Sequence, residues 1–144
     1  MCRERLVEVQ QNIEALRQRG AEVVAVAQGS GDEAARFCRM LKTDYLCLGD
    51  PEKQLYAAFS LPRDSWWNIT AQPFLDDPGL AFDRIRHASL KGSVMRHSDP
   101  RQLGGVAIVD TEGTLRYLHR SRRTDDLPTT AEILAQLDAL GAAQ

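Results

Sequence analysis

The apolar positions of the first twenty residues recur at the spacing of an amphipathic helix. They follow one another at intervals of three, four and three residues, at Leu6, Val9, Ile13 and Leu16. This spacing places them on one face of an α-helix, and Gly20 stands where a left-handed residue commonly ends such a helix. The pattern therefore predicts one helix from about Cys2 to Arg19, closed by Gly20.

The next segments alternate between a strand-like and a helix-like pattern. The run AEVVAVAQ, residues 21–28, is short and rich in β-branched side chains, which is typical of a strand buried on both faces. In DEAARFCRMLK, residues 32–42, the apolar side chains return to helical spacing, and Asp32 is a candidate N-cap. This second helix is expected to carry its buried side chains on one face, at Ala34, Phe37, Cys38 and Leu41.

A second strand and helix follow. The run DYLCLGD, residues 44–50, predicts a short strand. It leads into GDPEKQLYAAF, residues 49–59, where Asp50 can cap a helix and Pro51 fits its first position. We expect the buried stripe of this helix to consist of Leu55, Ala58 and Phe59.

Residues 62–101 interrupt the regular pattern and are predicted to form an insertion. Prolines break this segment repeatedly, and GLAFDRIRHASLKG, residues 79–92, is the part that favours a short helix. Trp66 and Trp67 are expected to form a lid packed on the core, the alternative being an apolar site for a substrate or partner. His87 and His97 have no acidic residue at a useful spacing and are interpreted as surface residues.

Regular patterns return after the insertion. The segment GGVAIVDTEGTLRYLHRS, residues 104–121, predicts two strands joined around DTEG, with Gly113 free to take a positive φ. In TTAEILAQLDALG, residues 129–141, Thr129 and Glu132 have the spacing of a capping box, and Gly141 can end the helix. The side chains expected to face inward are Ile133, Leu134, Leu137 and Leu140.

Length, composition and charge narrow the classes of protein. A chain of 144 residues with 43% hydrophobic and 26% charged residues is typical of one globular domain, here residues 1–144. A net charge of −2 argues against a nucleic-acid partner. The apolar runs are too short to cross a membrane and no secretion signal is recognisable, so we expect a cytoplasmic protein without a membrane partner.

The three cysteines, Cys2, Cys38 and Cys47, do not form a CxxC motif or a metal-binding pattern. An odd number in a reducing compartment predicts free thiols rather than a disulfide framework. Cys38 and Cys47 lie in apolar patterns and are interpreted as small buried hydrophobic residues without a catalytic role. No metal, flavin or nucleotide motif is recognisable, so no cofactor is expected.

The order of elements and several motifs give the sequence a family resemblance. The motifs are CRERLVEV, AEVVAVAQ, GDPEKQLYAAFSL with its DP helix start, and LGGVAIVDTEGTLRYLHRSRR. Together they resemble the AhpC/TSA peroxiredoxin-like family, in the branch that includes prostamide/prostaglandin F synthases. The resemblance extends from Cys2 through the last helix. It implies a thioredoxin-like α/β fold, with a mixed central sheet and helices on both faces.

The resemblance also implies a role for Cys2. Family members carry a CPxC-type motif between a central strand and a helix, and CRERL resembles its second cysteine and that helix. The strand and the first, reactive cysteine have no counterpart in this sequence, so we expect an N-terminally truncated domain. The strands matching AEVVAVAQ and GGVAIVD would then each lack a neighbour, which favours a homodimer unless the sheet closes or an upstream strand is present.

Charged residues near Cys2 and after the last strand are the other candidates for chemistry. A helix N-terminus flanked by Arg3 and Arg5 favours a thiolate at Cys2, the alternative being an inert terminal thiol. The segment HRSRRTDD holds a basic group that could orient a peroxide or another anion: His119, Arg120, Arg122 and Arg123. The alternative is a solvated edge paired with Asp125 and Asp126.

Arg101 is a further candidate, although a glycine occupies the position where typical peroxiredoxins carry an arginine.

These observations lead to two functional hypotheses. The first is a thiol-dependent oxidoreductase that reduces a small peroxide or a lipid-like substrate, with Cys2, Arg122 and Arg123 as its catalytic residues. Its expected partner is a thiol reductant such as a thioredoxin. The second is a non-catalytic thioredoxin-fold binding module that has lost the reactive cysteine.

Overall fold

The computed structural model describes residues 2–65, 79, 99–123 and 125–142. Its elements follow the order that the sequence predicts, apart from a division of the first helix. They are α1 (Cys2–Gln11), α2 (Ile13–Gln18), β1 (Val24–Ala27), α3 (Gly31–Leu41), β2 (Leu46–Gly49), α4 (Gln54–Ala58), β3 (Gly105–Val109), β4 (Leu115–Arg120) and α5 (Thr130–Ala142). In the described part of the chain, no helix has the length and apolar character needed to cross a membrane.

The described strands form two pairs, one parallel and one antiparallel. β1 lies parallel to β2, with Val24 opposite Leu46, and β3 pairs antiparallel with β4. The predicted hairpin is confirmed, and Gly113 takes a φ of +83° in its turn. The predicted α/β class is also confirmed, with both strand directions present. Among the strands that the structure describes, no ladder joins β1 to β3.

The prediction that β1 is buried on both faces is wrong. Val24 is 50% exposed, and its partner Leu46 is 58% exposed. The apolar run predicts a strand covered on both sides, but composition does not determine whether a second layer lies over a given face. One side of the β1–β2 pair therefore presents apolar side chains to solvent.

The single predicted helix over residues 2–19 is interrupted at Asn12. This residue has φ −112° and ψ 15°, outside the helical region, and separates α1 from α2. Its side-chain Nδ2 donates to the Glu8 carbonyl at 2.9 Å. Asparagine competes for backbone groups in this way, which breaks the helix although the apolar stripe continues across it. Gly20 has a φ of +74° and follows the end of α2, as predicted.

Helix α3 begins with a different cap from the predicted Asp32. Ser30 is the N-cap, and its hydroxyl accepts the Glu33 N–H at 3.3 Å. The Glu33 carboxylate in turn accepts the Ser30 N–H at 2.9 Å, which completes a capping box. Asp32 lies inside the first turn instead. The predicted buried face is confirmed at Ala34 and Cys38, which are 0% and 7% exposed.

Helix α4 also begins later than predicted. Pro51 lies in a turn, and Lys53, with a φ of +56°, precedes the helix. The buried Asp50 carboxylate still serves the helix start, because it accepts the N–H groups of Gln54 and Leu55 at 2.8 Å each. The predicted buried stripe is wrong, since Leu55 is 40% exposed and no residue of α4 is buried.

The core lies where α1, α2, β2 and α5 meet. Its centre is a cluster of Ile13, Leu16 and Tyr45, each less than 7% exposed. Side chains from α1 and α5 pack around it, namely Leu6, Val9, Ile133, Leu134 and Leu137. The capping box of α5 is confirmed, because Thr129 Oγ1 accepts the Glu132 N–H at 3.2 Å and the Glu132 carboxylate accepts the Thr129 N–H at 2.6 Å.

The two ends of the predicted insertion lie side by side. Arg63 and Gln102 form an antiparallel bridge, and the Leu103 N–H donates to the Pro62 carbonyl at 3.1 Å. The chain thus leaves and re-enters the fold at one place. Most of the insertion lies outside the described residues, including Trp66, Trp67, His87, His97 and nearly all of the short helix predicted over 79–92.

Candidate functional site

The first candidate, Cys2, is the first residue of α1. Unpaired N–H groups and the helix dipole make this end of a helix favourable for a negative charge. The side chain of Cys2 lies outside the described residues. The structure describes the backbone of Cys2, which lies at the start of a ten-residue helix.

The arginines near Cys2 have different surroundings. Arg3 is exposed, whereas Arg5 is half-buried and forms an ion pair with Glu8 one turn later. Glu8 Oε1 also accepts the Thr130 N–H at 2.8 Å. The Thr130 N–H, followed by the Arg5 guanidinium, lowers the pKa of Glu8 below its ordinary value. Arg5 therefore belongs to the group of interactions, centred on Glu8, that connects α1 with α5. Its positive charge is partly balanced by the Glu8 carboxylate.

The second candidate region is an open cleft at the end of β4. Its volume is about 700 Å³, and it is lined by Ser60, Pro62, Leu118, His119, Arg120, Arg122 and Asp126. His119 Nε2 lies 2.6 Å from the Asp126 carbonyl oxygen, which can only accept, so Nε2 is the donor. Ser121, 2% exposed, donates its hydroxyl to the same carbonyl at 3.0 Å. These bonds fold the segment after β4 back onto the strand.

Arg122 and Arg123 differ in what surrounds them. Arg122 lines the cleft, and its backbone N–H donates to the Asp126 carboxylate at 3.0 Å. Arg123 forms an ion pair instead, in which its Nε lies 3.5 Å from Asp125 Oδ1. Both side chains are more than half exposed. For Arg123 this is the solvated, paired edge that the sequence offered as the alternative. A catalytic role for either arginine stays a prediction.

The start of α5 connects the cleft with α1. Hydrogen bonds from Thr129 are the main cause of a lowered pKa at Glu132, and the Arg5 guanidinium lowers it further. His119 also lies within electrostatic range of Glu132. The fold therefore brings Arg5, three residues after Cys2, and His119 at the cleft to the same helix terminus. Sequence spacing alone could not show this proximity, since more than a hundred residues separate the two side chains.

Arg101 lies elsewhere. Its Nε donates to the Asp64 carbonyl at 2.9 Å, and its N–H donates to Asp99 Oδ1 at 2.9 Å. Both bonds tie together the base of the insertion. Arg101 is not among the residues that line the cleft.

The structure corrects the interpretation of Cys38 and Cys47 as free, hydrophobic thiols. They form a disulfide between the last turns of α3 and the second residue of β2, with their Cα atoms 6.5 Å apart. The nine-residue separation carried no recognisable motif. The available signal was that Cys38 lies on the buried face of α3, the face that packs on β2. Pairing depends on that packing, so it could not be read from the spacing of the cysteines.

No group of three or more His, Cys, Asp or Glu side chains within the described ranges is arranged to hold a metal ion. The candidate chemistry of these ranges therefore consists of the helix start at Cys2, the basic cleft after β4 and the Cys38–Cys47 pair.

Comparison with known proteins bears on the fold and on the class of chemistry. No curated protein matches the chain at a significant level. The sequence model of a family described as "AhpC/TSA antioxidant enzyme" matches residues 8–123. The arrangement of helices with parallel and antiparallel strands agrees with the thioredoxin-like α/β fold of this family. Because the match spans well over half of the 144 residues, the chain belongs to the AhpC/TSA antioxidant enzyme family.

Proposed function

We propose that this chain is a thiol-dependent redox protein of the peroxiredoxin-like type, which reduces peroxides or related substrates through cysteine chemistry. The observation that carries the proposal is the family match over residues 8–123. The match begins six residues after Cys2, so the role of Cys2 rests on the CRERL resemblance and on its position at the start of α1. The same resemblance favours the branch of prostamide/prostaglandin F synthases.

The proposed reaction uses two cysteines. A thiolate attacks the peroxide O–O bond, takes one oxygen to become a sulfenic acid and releases water or an alcohol. A second thiol then condenses with the sulfenic acid, forms a disulfide and releases water. A dithiol reductant such as a thioredoxin returns both cysteines to thiols, taking the disulfide onto itself. Cys2 is proposed as the second, resolving thiol of this sequence.

The first thiol is proposed to lie on the strand that family members carry before α1. The arrangement of the described strands supports this location, since β1 is paired only with β2 and β3 only with β4. A strand between β1 and β3 would pair the edge of each that no described strand occupies. It is proposed to come from chain upstream of Met1 or from a second copy in a homodimer.

Arg122 and Arg123 are proposed to orient the peroxide or to stabilise a nearby thiolate. Guanidinium groups present several donors in a fixed geometry, which suits an anionic or strongly polar substrate. The position of Arg122 in the cleft supports this role for Arg122 more directly than for Arg123, which faces Asp125. A small peroxide or the polar end of a lipid-like molecule is the substrate class that fits a basic cleft of about 700 Å³. We place the protein in the cytoplasm.

The test is peroxide consumption coupled to a thioredoxin system. Purified chain 1–144 is expected to turn over hydrogen peroxide barely above background, and a chain extended upstream through the first cysteine is expected to be active. Cys2→Ser should then prevent turnover with the reductant while leaving one round of peroxide reduction intact. Robust activity of chain 1–144 that is lost in Cys2→Ser would instead make Cys2 the nucleophile.

A negative result in both chains has a definite meaning. If neither the chain 1–144 nor the extended chain consumes peroxide, the proposed activity is wrong and the non-catalytic binding module is the better description. A separate measurement checks the state of Cys2. In the folded, oxidised protein, a maleimide should label one thiol per chain, and peptide mapping should assign it to Cys2, because Cys38 and Cys47 are joined.

A further inference from the structure

The Cys38–Cys47 disulfide lies between two elements that are already held together by other interactions. Helix α3 packs on β2, and β2 pairs with β1 along its whole length from Leu46 to Gly49. The start of α3 is fixed separately by the Ser30–Glu33 capping box. The covalent loop spans only nine positions, and short loops give the smallest entropic stabilisation. Non-covalent contacts thus hold α3 against β2 in addition to this bond.

The two sulfur atoms differ in their surroundings. Cys38 is 7% exposed and lies on the buried face of α3. Cys47 is more exposed and packs at the edge of the cluster formed by Ile13, Leu16 and Tyr45. An incoming thiolate must approach one sulfur along the S–S axis, opposite the other sulfur. Because Cys47 is the more exposed residue of the two, we take Cys47 as the point of attack and Cys38 as the leaving thiolate.

A hydroxyl group lies near the sulfur of Cys47, the more exposed of the two cysteines. Thr43 Oγ1 is 4.0 Å from Cys47 Sγ and donates to the Cys38 carbonyl at 3.3 Å. When the disulfide is reduced, rotation of this hydroxyl and a small approach of the two side chains would let it donate to a Cys47 thiolate. A hydrogen bond to a thiolate stabilises the charged form, which favours the reduced state. Thr43 is thus a positioning residue for the pair.

We propose that Cys38 and Cys47 form a second redox-active pair, entered at Cys47, that exchanges electrons with an external dithiol protein or with glutathione. This inference goes beyond the proposed peroxide reaction because it does not involve Cys2. If the protein resides in the cytoplasm, as expected, the proposal also accounts for a disulfide in that compartment, where disulfides are usually catalytic or redox-sensing.

The exchange balances as two thiol–disulfide steps. One thiolate of the reductant attacks Cys47 Sγ, forms a mixed disulfide and displaces the Cys38 thiolate, which takes up a proton. The second thiol of the dithiol reductant, or the thiol of a second glutathione, then attacks the reductant's sulfur in the mixed disulfide. It displaces the Cys47 thiolate, which takes up the proton that the attacking thiol releases. The pair has then gained two electrons and two protons, and the reductant has become a disulfide. The reverse steps oxidise the pair.

The experiment uses the Cys2→Ser chain, so that only Cys38 and Cys47 report. The folded protein is incubated with increasing ratios of reduced to oxidised dithiothreitol, or with reduced thioredoxin. The reaction is quenched with acid, free thiols are alkylated with a maleimide, and the mass of the chain is measured by mass spectrometry. We expect a reversible shift of two alkyl groups per chain, with an unchanged circular dichroism spectrum. A pair that stays oxidised until denaturant is added, or that is reduced only as the spectrum is lost, would show a structural disulfide and overturn the proposal.

Single-cysteine variants in the same background test the point of entry. Cys38→Ser leaves the Cys47 thiol, and Cys47→Ser leaves the Cys38 thiol. With oxidised glutathione, we expect the mass increase of one glutathione on Cys47 and little or none on Cys38. The opposite preference would contradict entry at Cys47. Disulfide-linked peptides other than Cys38–Cys47 in the oxidised parent would contradict the pairing itself.

Thr43 offers a further readout that a structural role would not change. Thr43→Val removes the hydroxyl at nearly constant volume and is expected to make reduction of the pair harder by about tenfold, the factor of one hydrogen bond to a charged group. Thr43→Ser should restore the original equilibrium. Thr111→Val, in the exposed hairpin turn, is the matched control and should leave it unchanged. An equilibrium in Thr43→Val equal to that of the parent would exclude the role of Thr43.

The outcomes for the pair and for the proposed peroxide reaction are distinguishable. Exchange at Cys38–Cys47 is measured by mass without peroxide and in the absence of Cys2. Peroxide turnover is measured with Cys2 present and can be repeated in the Cys38→Ser/Cys47→Ser double variant. Each proposal can therefore fail while the other is upheld.

Discussion

Glu8 of α1 and Thr130 of α5 are joined by a hydrogen bond, in which the Thr130 N–H donates to Glu8 Oε1 at 2.8 Å. The two residues are 122 positions apart, and the bond satisfies a backbone N–H in the first turn of α5. The same carboxylate forms the ion pair with Arg5, three residues after Cys2. Glu8 therefore connects α1, the helix that begins at Cys2, with α5.

The first prediction concerns the charge of Glu8. The Thr130 N–H and the Arg5 guanidinium lower the pKa of Glu8 in the folded state below its ordinary value of 4.5. A depressed carboxylate pKa stabilises the fold above the ordinary pKa, and this contribution is lost as the pH falls through the folded-state pKa. Glu8→Gln should thus lower the free energy of unfolding at pH 7 by about 1 kcal/mol.

Urea denaturation at pH 7 and at low pH checks this prediction. The difference between Glu8→Gln and the parent should shrink as the pH falls below 4.5, because Glu8 itself becomes neutral. Glu14→Gln is the control, since Glu14 is 78% exposed and lies 3.8 Å from Arg17 in a surface pair. A difference for Glu8→Gln that is the same at every pH would contradict the electrostatic explanation.

The second prediction concerns the start of α3. Because Ser30 caps the helix and Asp32 does not, Ser30→Ala should destabilise the protein by about 1 kcal/mol. Asp32→Ala should cost less, since an exposed acidic residue in the first turn contributes only through the helix dipole. Thermal denaturation of the two variants under the same conditions decides between them. A larger loss for Asp32→Ala would return the cap to the residue that the sequence indicated.

The third prediction concerns the basic cleft. In a chain that is active toward peroxide, Arg122→Ala should lower kcat/KM by about tenfold, because Arg122 is one of the residues that line the cleft and the variant removes its charge. Arg123→Ala should have a smaller effect, since its guanidinium faces Asp125. Arg116→Ala is the control, because Arg116 pairs with Asp110 in the hairpin at 2.6 Å. Equal losses for all three variants would indicate a general effect of charge rather than a role for Arg122.

The fourth prediction concerns association through the β1–β2 pair. Leu46 and Val24 lie opposite each other and are both at least half exposed, so they form an uncovered apolar surface. Chain 1–144 is expected to form a dimer or larger species, and Leu46→Lys should shift it toward the monomer. Light scattering over a concentration series provides the measurement. Met40→Lys, at a 50% exposed position on α3, should have little effect. A stable monomer of the parent chain would contradict the prediction.

Local interactions explain what the sequence determined. The apolar stripe through Leu6, Ile13 and Leu16 has the 3.6-residue period of a helix, and these residues lie in or against the core. The Thr129–Glu132 capping box and the turn at Gly113 depend only on residues within four positions of each other. Interactions between residues this close together in the sequence leave a recognisable pattern of residue types, so these features could be predicted. The family resemblance, carried by such motifs over most of the chain, was likewise accessible from the sequence.

Tertiary packing decided the features that the sequence left open or indicated wrongly. The cap of α3 is a different case, because Ser30 and Glu33 have the same spacing as the capping box of α5 and are a local signal that the choice of Asp32 overlooked. Cys38 and Cys47 pair because α3 lies on β2, a contact that no cysteine spacing records. The exposure of Val24 depends on whether another layer covers the sheet, and composition describes the strand but not its neighbours. Sequence patterns report interactions between nearby residues. Burial, disulfide pairing and the proximity of both Arg5 and His119 to Glu132 depend instead on where distant segments lie.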